Sequence, residues 1–126
     1  MRNNEFDTLQ EIDLELNNKA KRMVMSILVG IRKLEKRTQE SIMRSGGLSK
    51  STMTKLESKE NTVVTNDSLE KYARGLGIKY SIVAKYVDIC MEELKSGNAI
   101  FSETTDRNRM LSFLMLCSGS EVTEEN

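Results

Sequence analysis

The chain has no histidine, no proline and no tryptophan, and only two cysteines. Without histidine there is neither a Cys/His zinc site nor a Ser-His or Cys-His catalytic pair. Cys90 and Cys117 do not form a CxxC pair, and two isolated thiols read as reduced residues of a cytosolic protein. No GxxxxGK[ST] phosphate loop and no metal cluster is present. The expectation is therefore no metal, no cofactor and no enzymatic activity. The first ten residues, MRNNEFDTLQ, lack the apolar core of a signal peptide, and no apolar run approaches the roughly 18 residues that cross a membrane. A cytoplasmic protein with no membrane partner is expected.

What the chain does contain favours helices. Aromatic residues make up 5%, while Leu, Lys, Glu, Met and Arg dominate, which points to an all-α fold. At 126 residues, with 38% apolar and 30% charged, there is room for one domain and one core. The eight methionines fall at core spacing and read as packing rather than as a peptide-binding groove.

The formal net charge is zero, but the charges are not evenly spread. Residues 1–18 carry a net −4, residues 19–60 a net +7, residues 61–98 balance, and residues 99–126 carry a net −3. A basic middle between acidic ends suits an acidic partner for the middle segment.

Along the chain, Phe6, Leu9, Ile12 and Leu16 lie at helical spacing with Asp7 as a candidate N-cap. Ile12, Leu14 and Leu16 also alternate, which leaves a short strand open. The "NNK" at 17–19 reads as a break. From Lys21 to about Lys36, the residues Met23, Val24, Ile27, Leu28, Ile31 and Leu34 form one apolar stripe. Thr38 then caps a short helix closed by Gly46 and Gly47, and Ser49 caps a second, "KSTMTKLES". Either Thr65 or Asp67, the latter as a capping box with Glu70, opens a helix ending at Gly77. A longer helix covers about Tyr80 to Lys95. The last segment is almost wholly apolar at "MLSFLMLC" (110–117).

Two short helices joined by about three residues with a glycine form a helix-turn-helix arrangement. Through Gln39, "GLSKSTMTKLE" (47–57) and "LEKYARGLGI" (69–78), residues 23–87 resemble the phage-repressor-like (Xre-type) helix-turn-helix DNA-binding domain. The chain departs from that family's usual pattern at Met43, Gly46 and Val64. The resemblance implies an all-α, five-helix phage-repressor-like helix-turn-helix domain, here with an extra N-terminal helix and a C-terminal apolar helix. It divides the chain into an acidic helical extension (1–20), the DNA-binding domain (21–96), and an oligomerisation helix with an acidic tail (97–126).

The resemblance also implies a site. The second short helix enters the major groove of double-stranded DNA with its N-terminal residues at base edges. Lys50, Ser51, Thr54 and Lys55 share its outer face, while Met53 and Leu56 face inward. Lysine donates to guanine O6 and N7, and hydroxyls serve either base type or a phosphate. Gln39 resembles the family residue that contacts a phosphate and braces the first recognition position. Arg37, Arg44, Thr52 and Lys59 are further phosphate candidates. Glu57 is structural in such domains, pairing with an Arg or Lys of the first helix.

The segment 110–117 is too apolar for a solvated helix. It reads as a dimerisation or partner-docking helix, with Leu111, Phe113, Leu114 and Leu116 as candidates, or else as packing on its own domain. A homodimer would match a palindromic operator. Two readings of function follow. One is a sequence-specific transcriptional regulator, a dimeric repressor. The other is an antitoxin or accessory module whose terminal helices bind a protein partner.

Overall fold

The structure is a computed structural model and describes residues 4–58, 62–97 and 108–117. Those residues are all helical apart from turns. The helices are α1 (Asn4–Leu34), α2 (Gln39–Gly46), α3 (Lys50–Glu57), α4 (Asn66–Leu76), α5 (Tyr80–Ser96) and α6 (108–117). Among them no helix is long and apolar enough to cross a membrane.

α1 is one unbroken helix of 31 residues, so the separate N-terminal helix and the break expected at 17–19 are corrected. The helix starts at Asn4, which puts Asp7 inside it rather than at its cap, and it runs through the domain boundary placed at residue 20. The reason for the missing break lies in tertiary contact. Asn18 Nδ2 donates to Thr62 O (3.2 Å), and Asn18 Oδ1 accepts from Val64 N (2.8 Å). Two bonds to a distant loop outweigh a weak helix propensity of a few tenths of a kcal/mol, roughly.

α1 carries one side of the core. Ala20, Met23, Val24, Met25, Ile27, Leu28 and Ile31 are buried, whereas Leu34, expected on the same stripe, is 69% exposed because the last turn overhangs the core. The helix closes in a Schellman turn, with Lys36 N donating to Lys33 O (3.0 Å) and Arg37 N to Arg32 O (3.0 Å). That turn puts Lys36 at φ 58°, the one non-glycine with positive φ among the described residues.

α1 packs along α5, and α2 along α4. The second pairing is unusually close. A Cβ on Gly46 would drive into the carbonyl of Lys71, and one on Gly75 would lie 2.7 Å from both Cγ2 and the carbonyl of Ile42. Gly46 is thus a packing residue; the left-handed turn falls to Gly47 alone, at φ 78°. Thr65, not Asp67, caps α4 by accepting from Ser68 N (3.1 Å).

α6 lies on its own chain. The Phe113 ring is fully buried and meets Tyr86 edge-on at 5.4 Å, and the Tyr86 hydroxyl donates to Arg109 O at 3.1 Å. Met110 reaches Gly30 of α1 so closely that a Cβ there would stand 2.6 Å from its methyl. Of the candidate dimerisation residues, Phe113 is therefore corrected to a core residue. Leu114 and Leu116 are partly buried against the core, and Leu111 is 53% exposed beside Met115 at 72%.

Candidate nucleic-acid interface

α3 forms because Ser49 supplies its cap, accepting from Thr52 N at 3.2 Å, and because Met53 and Leu56 give it an apolar side. Both are buried, and Lys50, Ser51, Thr54 and Lys55 all lie exposed on the opposite side. The structure brings these four together as the sequence pattern requires. Their chemistry differs in detail. Thr54 Oγ1 donates to Lys50 O at 3.0 Å, so its proton is committed and the oxygen faces outward as an acceptor. Thr52 accepts from Ser49 Oγ at 2.9 Å, which leaves its own proton available to donate.

Of the expected phosphate contacts, Arg44 is exposed near the end of α2. Arg37 is half-buried, with Nη2 donating to Ser41 Oγ at 3.3 Å. Lys59 lies outside the described residues. Gln39 is corrected in one respect: its brace is not on the first residue of α3. Its Nε2 donates to Glu57 Oε1 (2.8 Å), at the last residue of α3, because that carboxylate is buried and needs donors.

Glu57 is the junction of four helices. Arg32 of α1 grips it with two bonds, Nε to Oε2 and Nη2 to Oε1, each 2.8 Å, and its Nη1 donates to Arg37 O at 2.8 Å. Tyr72 of α4 donates its hydroxyl to Oε2 at 2.7 Å. Burial alone would push the Glu57 carboxyl up; the bonds from Arg32, Tyr72 and Gln39 together outweigh it and hold it below the ordinary carboxylate value. The same contact raises Arg32, chiefly through the hydrogen bond to Glu57. Burial, reinforced by the neighbouring carboxylate, pushes Tyr72 far above an ordinary phenol. The structural role expected for Glu57 is met. Side chains 11% and 9% exposed make this a desolvated pair, whose rupture costs about 3–5 kcal/mol.

Sequence reasoning missed Arg22 and Asn18. Arg22 reaches across from α1 and donates to four carbonyls, those of Lys55, Leu56, Ser58 and Thr62. A signal existed: the two polar residues stand at i and i+4, on one side of α1 next to the apolar stripe.

Elsewhere the described residues hold no group of three His, Cys, Asp or Glu able to bind a metal. Cys90 is pushed up to about 12 by burial, which keeps it as an unreactive thiol. No protein-family model, no curated protein and no solved structure matches the chain.

Proposed function

We propose that the chain is a sequence-specific double-stranded DNA-binding protein of the phage-repressor-like helix-turn-helix kind, a cytoplasmic transcriptional regulator that acts as a dimeric repressor. One observation carries this reading. α3 offers an outward face of Lys50, Ser51, Thr54 and Lys55, while its inner face and C-terminal end are tied to α1, α2 and α4. A short helix mounted from behind and polar in front suits insertion into a major groove. Lys50 and Lys55 donate to guanine, and the Thr54 oxygen accepts from adenine N6 or cytosine N4. Arg37, Arg44 and Thr52 hold phosphates beside it. No enzymatic step belongs to this reading.

The dimer uses the part of α6 left outside its own core, Leu111 and Met115 with the edges of Leu114 and Leu116. Those exposed apolar side chains also favour a second reading, a protein-interaction module in which α6 docks a different partner.

Selection from a pool of random duplexes at near-physiological salt tests the proposal. A palindromic consensus is the expected result, with Lys50→Ala relaxing one position and Arg44→Ala weakening all sequences alike. Salt-sensitive binding without a consensus would move the assignment to the partner-binding module.

A further inference from the structure

α3 is eight residues long and buries two of them, Met53 and Leu56. Such a helix is about 12 Å from end to end. Two apolar anchors on a single stripe leave it able to rock about that stripe, so other contacts must set its pitch. They converge at its C-terminal end, where Arg32, Gln39 and Tyr72 hold the Glu57 side chain and Arg22 holds the backbone. Arg22 Nη2 donates to Lys55 O (3.2 Å), and Nη1 donates to Leu56 O (3.1 Å) and Ser58 O (3.2 Å). Its Nε donates to Thr62 O (2.8 Å). One turn earlier on α1, Asn18 holds Thr62 O and Val64 N. The last carbonyls of a helix lack partners within it and form the negative end of its dipole, so a guanidinium suits them in charge and in shape.

We propose that Arg22 and Asn18 are positioning residues for DNA reading: through them α1 fixes the pitch of α3, so that Lys50 and Ser51 at its far end meet base edges in one register. The proposal rests on the DNA-binding assignment above. A swing of about 10° at the C-terminal end moves the first turn by about 2 Å over the length of the helix. A hydrogen bond to a base edge is lost within a smaller displacement. The phosphate candidates Arg37 and Arg44 stand outside α3 and do not move with it, whereas the base contacts do. The clasp therefore governs discrimination between sequences, not general attraction to DNA.

The test titrates the full chain with a duplex carrying the selected sequence and a random duplex of equal length, at two salt concentrations, with thermal melts alongside. Arg22→Ala is expected to lower the selected-to-random affinity ratio by about tenfold, the size of one lost base contact. Affinity for random DNA should change by less than about twofold, with the same salt slope, since the guanidinium is spent on carbonyls. Arg22→Lys keeps the charge but cannot span all four carbonyls, and should recover little of the ratio. A lowered melting temperature with an unchanged ratio would overturn the proposal and leave Arg22 a merely structural residue. Should Arg22→Ala fail to fold, Asn18→Ala carries the test, with an expected drop of about threefold. A wild-type ratio near one refutes the sequence-specific assignment itself. A high wild-type ratio that neither variant moves refutes the clasp alone.

Discussion

α2 and α3 are equally long and capped alike, with Thr38 and Ser49 each accepting from the backbone N–H three residues on. They are held by different means. α2 is fixed chiefly by shape: Gly46 and Gly75 let its backbone touch that of α4, and the one charged group at that contact, Arg74, reaches the Gly46 carbonyl only at 3.5 Å. α3 is fixed by polar groups, with Arg22 and Arg32 of α1 gripping its last turn and Gln39 and Tyr72 completing the shell around Glu57. Contact by shape does not respond to pH or salt. A hold made of charges does, and it fails abruptly when one partner is removed.

The largest effect should come from α3. Glu57→Ala strands the Arg32 guanidinium in a buried position and should cost about 3–5 kcal/mol in denaturant unfolding, enough to threaten the fold. On the α2 side, Gly46→Ala forces a methyl into the Lys71 carbonyl. Neither backbone can yield much, so the loss should reach about 3 kcal/mol, the upper end of ordinary overpacking. A cost near zero would break the comparison, since α2 would then not be held by close approach. Gly47→Ala sharpens it. That position has φ 78° but open space around it, so the same assay should read only about 1 kcal/mol.

The smallest effect is the response to acid. The Glu57 carboxyl is held below its unfolded value, so the unfolded chain takes up the proton first as pH falls. Its contribution is complete above roughly pH 4.3 and declines as pH drops through the lower native value. Urea midpoints measured from pH 6 to 3 should show this limb, and Glu57→Gln should flatten it. Gly46→Ala should leave it unchanged.

Which parts were legible in the sequence follows the same division. Local rules are written in neighbouring residues, so Thr38 and Ser49 as caps and Gly47 and Gly77 as helix ends could be read directly. The outward set Lys50, Ser51, Thr54 and Lys55 followed from helical spacing alone. Long-range contacts could not be read. Asn17 and Asn18 look like a weak point because propensity counts only the residue itself, whereas Asn18 is occupied with a loop more than forty positions away. Gly46 looked like turn chemistry, and its cause is the Lys71 carbonyl of α4, a separate helix further along the chain. Phe113 looked like a surface for a partner because hydrophobicity alone does not say which core a side chain enters; Tyr86 receives it.

The reach of Arg22 also fixes an order of events. Its acceptors lie 33 to 40 positions along the chain, so no local encounter can assemble them. The loop through α2 must close first, at an entropic cost that contacts between neighbours do not carry. The end of α3 is thus assembled only once α1 and α3 have met, and it opens when they part. Amides just before Ser58 should exchange with solvent sooner than those of α4, whose core residues Leu69, Tyr72 and Ala73 are fully buried.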